Sequence, residues 1–523
     1  MQSMMAKRKR EAVAGGGAAK ALKSRKEESA SGPKQAATAR KEGTVNGTAG
    51  ASKSKVPAKS MSTDEDTQPE TTTIQIITGS YERVLHGFAA TIPRSLITGQ
   101  GEASAPETTT PKLDFADTFL FNAHASAIRC LALSPLSEET SKVMLATGST
   151  DERINLYSIS TAPPAVSNLQ PKLPSLHGAS ITENPKNKEL GSLLHHSSNI
   201  TALYFPTRSK LLSAAEDSTI AITRTRDWTA LSTIKAPIPK PQGRPSGDTA
   251  GPGEVPAGIN DFAVHPSMKL MVSVGKGEKC MRLWNLVTGK KAGVLNFGRD
   301  ILTAVGEGRF GSGEGRRVIW DKDGEEFAVA FERGVVVFNI DSKPKAKIAP
   351  TPRTKIHQMH YLPSDAHASM LLVSTEDGRV LLYDTSATSP ASEDAGKSKD
   401  SVPSSKLVAQ IGGPGAGISG RIKDFEILPL SNPNAAAFLV ITGSSDGTVR
   451  IWSLDAEELK NSAEVEQDKG FSAKQVGRLL GTYTTGTRIT CLKAFTMTGK
   501  PEEEEEEVVA TNKDDASSSD DSE

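Results

Sequence analysis

The strongest constraint on this 523-residue chain is a phrase that recurs. Val143–Ile159 reads VMLATGSTDERINLYSI and Leu439–Leu454 reads LVITGSSDGTVRIWSL. Each has an apolar run, a small hydroxyl-rich turn, an Asp, and a second alternating run ending near an aromatic residue. Leu211–Ile222, Leu270–Leu286 and Leu371–Tyr383 are variants. Period-2 alternation on both sides of a Gly/Asp/Ser cluster predicts two strands joined by a tight turn. Another apolar stretch precedes each phrase, as in Ile128–Leu133, Ile200–Phe205 and Ile422–Ile427, and one follows, as in Leu190–Leu194, Ala230–Ile234 and Val476–Leu480. Four strands per unit of roughly 40 or more residues is the signature of a propeller blade.

The two ends of the repeat region are incomplete in complementary ways. Ile74–Phe88 has the second and third strands of a unit, with Thr78, Glu82 and Phe88 at the repeat offsets, and Thr118–Phe121 supplies its outer strand. No first strand precedes it. Arg488–Phe495 matches a first strand and nothing follows it. The expected fold is therefore all-β: a seven-bladed β-propeller over residues 71–498, closed by a C-terminal strand pairing with N-terminal strands. Closure removes two open sheet edges.

The phrases resemble the WD-repeat family. In that family a His, a Ser/Thr, an Asp and a Trp form a hydrogen-bonded tetrad inside each blade. The resemblance assigns these structural positions to His124, Thr147, Asp151 and Tyr157; to His196, Ser213 and Asp217; to Asp377; and to Thr442, Asp446 and Trp452. A buried carboxylate needs donors, and imidazole, hydroxyl and indole N–H provide them. The set is partial: Tyr157 and Tyr383 replace Trp, Thr223 stands where Trp would be, and the fourth to sixth units lack the His. Several blades are expected to rely on packing alone.

Composition separates this middle from its ends. Only 36% of residues are hydrophobic, and the formal net charge of zero is a cancellation. Residues 1–60 hold 14 Lys/Arg against 4 Glu, a charge of +10; residues 501–523 hold 11 Asp/Glu against one Lys, a charge of −10. Lacking large apolar side chains, residues 1–70 and 499–523 cannot offset chain entropy and are expected to be a disordered basic tail and a disordered acidic tail. Lys7, Arg8, Lys9 and Arg10, then Lys23, Arg25 and Lys26 after a spacer, resemble a bipartite nuclear-import signal. The same pattern suits RNA phosphate contacts or plain solvated chain. No stretch has the ~18–20 apolar residues of a membrane span. The three cysteines, Cys130, Cys280 and Cys491, form no CxxC pair and exclude a disulfide framework.

Catalytic signatures are missing. There is no GxxxxGK[ST] loop, HExxH or GxSxG elbow. His195–His196 lacks a suitably spaced ligand partner, and the glycine-rich Gly412–Gly420 reads as an interblade loop. The Asp residues of the repeats share one turn role in different blades, so they cannot converge on one bond. The expectation is no enzyme, no cofactor and no metal.

The order of local phrases is more specific. TGSYERVLHGFAATI, FNAHASAIRCLALS, ELGSLLHHSSNITALYF and RRVIWDKDGEEFAVAFERGVVVFNI are similar to the PAK-interacting WD-repeat family, which includes the yeast Mak-type factor of large-subunit ribosome assembly. The resemblance covers about Ile74–Ile340 best. It implies a nuclear and nucleolar scaffold docking on pre-60S particles (ribosomal proteins, assembly factors and pre-rRNA) and supporting pre-rRNA processing. Importins would engage the basic tail, and outside the particle the protein would be monomeric. The alternative implied by animal relatives is a signalling scaffold that binds and negatively regulates a PAK-type kinase.

Overall fold

The middle strands of the sheets are apolar on both faces, as over Thr71–Ser80, Lys210–Ala215, Glu326–Ala330 and Ala437–Ser444. Alternate residues of a strand point to opposite sides, yet Ile76 and Ile77 are both fully buried, in different clusters. Ile74 and Ile76 pack with Leu439, Ile441 and Ile451, whereas Ile77 packs with Ile128, Val143 and Leu145. Each sheet is thus sandwiched between two others, and the core is the set of layers between them. At about 1.5–3 kcal/mol per large buried apolar side chain, these layers are the main favourable term.

A computed structural model describes residues 71–98, 113–137, 140–163, 186–238, 257–307, 311–389, 402–430, 437–460 and 473–498. By Cα proximity the chain divides into Met1–Thr67 and Gln68–Glu523, and all described residues belong to the second unit. The expected basic and acidic tails, with Lys7–Arg10 and Lys23–Lys26, lie outside the described residues.

Among the described residues the strands form seven groups of four. The first takes β1 (Thr71–Ser80), β2 (Val84–Pro93) and β3 (Asp114–Asn122). Then come β4 (Ile128–Leu133), β5 (Lys142–Ser149), β6 (Ile154–Ser160) and β7 (Lys188–Leu193), followed by β8 (Ile200–Thr207), β9 (Lys210–Ala215), β10 (Thr219–Arg224) and β11 (Ala230–Lys235). The next are β12 (Ile259–Val264), β13 (Leu270–Gly275), β14 (Cys280–Asn285) and β15 (Lys290–Asn296), then β16 (Arg317–Trp320), β17 (Glu326–Ala330), β18 (Val335–Asn339) and β19 (Pro344–Ile348). The last two are β20 (Ile356–Tyr361), β21 (Met370–Thr375), β22 (Arg379–Ser389) and β23 (Ser404–Gly412), and β24 (Ile422–Leu430), β25 (Ala437–Ser444), β26 (Thr448–Asp455) and β27 (Arg478–Thr484). β28 (Ile489–Thr496) pairs antiparallel with β1, giving the order β28-β1-β2-β3. One parallel bridge, Lys347 to Ser404, joins two of the groups into an eight-stranded sheet.

The architecture is propeller-like: antiparallel four-stranded sheets whose first strands neighbour one another in the cyclic order β28, β4, β8, β12, β16, β20, β24. Six of these inner strands carry the same irregularity. One residue after the start, the register slips, leaving Arg129, Thr201, Asn260, His357, Lys423 and Thr490 as extra residues. Such bulges bend a strand and re-aim a side chain.

Two of the connections between strands hold short helices, Arg299–Ala304 and Ala456–Lys460. Leu459 is buried against the Trp452 cluster, and Ile301 packs on the cluster of Phe331; an apolar anchor, invisible in a composition count, orders each. Gly412–Gly420 does connect two groups, through a 3-10 turn at Pro414–Ala416.

Candidate functional site

Two imidazoles organise the clearest repeats. His124 stands four residues before Ile128, and its Nδ1 lies 3.0 Å from Asp151, with Nε2 2.7 Å from the Thr147 hydroxyl. With Nδ1–H donating to the carboxylate, Nε2 accepts from Thr147. Burial pushes the His124 pKa down, only partly opposed by Asp151. Burial pushes Asp151 up, but His124 and the N–H groups of Ala125 and Arg153 more than offset it. The second set repeats this geometry: His196 Nε2 lies 2.8 Å from Ser213 and Nδ1 3.2 Å from Asp217, whose pKa falls to about 2 as His196, Thr219 and Ser197 outweigh burial. Tyr157 is buried against Phe121, ring centroids 5.6 Å apart, and packs where an indole would donate.

Elsewhere the donors change. Ile418, four residues before Ile422, takes the position that His124 and His196 hold, and it packs in the cluster of Trp452. Trp452 donates to Thr442 at 3.4 Å, while Asp446 turns to its own hairpin, accepting from Thr448 N–H at 2.9 Å. Asp377 is met by a guanidinium: Arg379, almost wholly buried, donates through Nη2 and Nε at 2.6 and 3.0 Å. Glu278, in the turn before β14, and Arg282 on β14 form a similar pair, and Trp284 of the same strand donates to Ser273 at 2.8 Å. In the first group His86 meets Asp117 at 2.8 Å. Arg379, Arg282 and His86 fall outside the tetrad positions, and no local sequence pattern marks which way their side chains turn. Asp151, Asp217, Asp377 and Asp446 thus stand in four separate sheets.

The seven inner strands line one cavity of about 530 Å³. Inner strands have one edge with no strand beside it, so their N–H groups need other acceptors. Asp261 accepts Val318 N–H at 3.1 Å, and Asp424 accepts Leu492 N–H at 2.9 Å. Gln358 donates to Asp424 at 3.4 Å, and Lys493 pairs with Glu426 at 2.6 Å. These polar groups stitch neighbouring sheets together. Cys130 and Cys491 are buried at equivalent places, and burial pushes the Cys130 thiol up to about 12, so neither resembles a nucleophile. Among the described residues no group of three or more His, Cys, Asp and Glu is arranged to hold a metal, and no helix is long and apolar enough to cross a membrane. What the arrangement offers is surface: a stiff ring of side chains for docking.

Comparison with known proteins agrees with the repeat reading. The model of the WD domain, G-beta repeat, matches residues 116–158, 187–223 and 431–453. A p21-activated protein kinase-interacting protein 1-like of Xenopus laevis is 25% identical over 426 residues, covering 82% of this chain and 83% of that protein. Protein MAK11 of Saccharomyces cerevisiae is 28% identical over 409 residues, covering 73% and 78%. Shk1 kinase-binding protein 15 of Schizosaccharomyces pombe is 22% identical over 382 residues, covering 73% and 78%. The chain carries WD40 repeats and has relatives among the PAK-interacting and MAK11 proteins.

Proposed function

We propose that this WD-repeat protein is a non-enzymatic assembly factor of the large ribosomal subunit, docking on nuclear and nucleolar pre-60S particles and supporting pre-rRNA processing. Its body is a seven-bladed propeller in which β28 completes the first blade, and the His124 and His196 networks hold blades together and take no part in chemistry. The observation that carries the reading is the similarity to MAK11 across most of the chain, added to local phrases that resemble the same large-subunit assembly family. The +10 segment at residues 1–60 supports it physically, since Lys/Arg clusters follow rRNA phosphates with an affinity that falls as salt rises, and the same cluster suits importins.

A second reading has its own support: two of the relatives are named for kinase interaction or kinase binding. On that reading the ring is a scaffold that binds and restrains a PAK-type kinase. Sedimentation separates the two. Tagged full-length protein is expected to co-migrate with pre-60S particles at low salt; migration with kinase complexes alone would favour the second. Deleting residues 1–30 should move a fluorescent fusion out of the nucleus, and an unchanged distribution would reject the import role.

A further inference from the structure

The cavity is electrostatically lopsided at the end where the inner strands begin. Arg129, His357, Lys423 and Thr490 are bulged residues of four inner strands, and Arg316 and Arg317 enter β16 beside them. Lys355, Arg421 and Arg488 immediately precede β20, β24 and β28. One step outward, carboxylates already hold part of this charge: Glu332 meets Lys355 at 3.0 Å and Arg316 at 3.7 Å, and Glu376 meets Arg421 at 3.2 Å. Arg129 and Lys423, on the strands either side of β28, have no ion pair among the described residues. Arg488 lies over the ring of Tyr81, its guanidinium carbon 5.6 Å from the centroid. Two buried nitrogens here, Nε of Arg316 and Nε2 of His357, have no hydrogen-bond partner.

We propose that this mouth docks an acidic peptide segment of a partner protein, with carboxylates seated among Arg129, Arg317, Lys423 and Arg488. The inference goes beyond the ribosomal reading and holds whichever assembly supplies the partner. Three features favour a peptide over an RNA strand. Arg129 and Lys423, which have no ion pair among the described residues, stand on inner strands beside Arg317, which pairs with Asp261 at 3.9 Å. All three line the cavity, so an anion reaches them by entering the ring rather than lying across the face. The opposite arc of the same end carries Glu216, Glu278 and Glu314, with Glu216 paired to Lys276 at 3.2 Å, which breaks any continuous basic track for a phosphate backbone. Strand-tracking proteins add stacked aromatic platforms, whereas the exposed large apolar residues described include two aromatic rings alone, Tyr81, which sits under Arg488, and Tyr204, an isolated ring on β8.

The cluster also supplies a reporter. Burial, then Lys423, Arg317, Arg421 and Arg316, hold the His357 pKa down at about 4. A bound carboxylate screens those cations and raises it.

The test uses full-length protein and two fluorescein-labelled probes, a dodecapeptide of Glu and Asp and a twelve-nucleotide oligouridine. Residues 1–60, with their charge of +10, are the same in every variant, so the difference between variants reads the mouth. Lys423→Glu with Arg129→Glu is expected to weaken peptide binding about tenfold or more and RNA binding less than twofold. If the reversals unfold the chain, Lys423→Gln with Arg129→Gln is expected to give a two- to fivefold loss for the peptide alone. In protein with isotope-labelled histidine, the resonance assigned by His357→Gln should titrate at higher pH with saturating peptide. Equal peptide affinity in wild type and variant, a larger loss for RNA than for peptide, or an unmoved His357 midpoint would each overturn the proposal.

Discussion

The backbone N–H of Arg488 donates to the Glu82 carboxylate at 2.8 Å, across 406 positions of sequence. Glu82 lies in the turn between β1 and β2, and Arg488 leads into β28. Three further bonds tie the end of the repeat region to its start. The Thr490 hydroxyl reaches the carbonyls of Gly79 at 2.9 Å and Ile128 at 2.6 Å, and the Tyr483 hydroxyl on β27 reaches Asp117 on β3 at 2.5 Å. The first group of strands is therefore completed by residues from the far end of the repeat region.

Glu82→Ala removes one charge-assisted acceptor from an exposed N–H and is expected to cost about 1 kcal/mol. Ending the chain at Thr487 removes β28 altogether and opens the edge of β1, uncovering Ile74, Ile76 and Ile77. Chemical denaturation should show a modest midpoint shift for the first and loss of the cooperative transition for the second. A truncated chain that unfolds like wild type would show that β28 contributes little.

His124→Ala leaves Asp151 and Thr147 without their shared partner, two groups that are nearly buried. Asp151 keeps the Ala125 and Arg153 N–H groups and Thr147 keeps the Asn155 carbonyl, so the loss is one charge-assisted and one ordinary hydrogen bond, about 2–4 kcal/mol by urea unfolding. His196→Ala should behave alike. Ile418→Ala, at the equivalent place in the last group, should instead follow the cavity rule of roughly 2–5 kcal/mol and show no change in pH dependence.

Gly148→Ala tests a close approach. A methyl group there would lie 2.6 Å from Ile200 Cγ2 and 2.7 Å from Cys130 Sγ, and at Gly79 it would lie 2.7 Å from both Cys491 Sγ and Ile128 Cγ2. Overpacking of this kind costs ~1–3 kcal/mol. Thermal melting should show both substitutions as destabilising, and Gly298→Ala, with open space around it, as nearly neutral.

His360 lines the cavity, with its ring edge-on to Phe425 at 4.9 Å. Burial, then Lys493, push its pKa to about 3, with Arg317 acting the same way and Asp424 opposing. Between about 3 and the ordinary value of 6.5, the unfolded chain binds a proton that the folded chain does not. Stability therefore rises with pH through that window, by up to ~1.4 kcal/mol per unit for one group. His360→Gln should flatten the slope of unfolding free energy against pH from 4 to 6. An identical slope in the variant would mean that His360 is protonated in the folded chain.

Much of the local structure was legible because its physics is local. Alternation in VMLATGSTDERINLYSI requires β5 and β6 to be strands, and the turn residues require the hairpin between them. The imidazole networks at His124 and His196 were legible too, since donor, hydroxyl and carboxylate recur at similar offsets. The replacements were not. Nothing near Asp377 in sequence distinguishes an Arg379 that turns inward to be almost fully buried from one that points to solvent, because the side-chain direction depends on what neighbouring sheets leave open. The bulges were equally hidden: a bulge is a property of pairing, and Lys423 in IKDFEI reads as an ordinary polar residue of an alternating strand.

By itself, then, the amino-acid order determined which segments are strands, where they turn, and that the incomplete ends match each other, because period-2 patterning and turn chemistry act over a few residues. Only the tertiary structure decided that Arg129, Arg317 and Lys423, from three distant parts of the chain, face one cavity. That convergence comes from inner strands packing side by side, and no short-range pattern encodes how separate sheets are arranged about a shared centre.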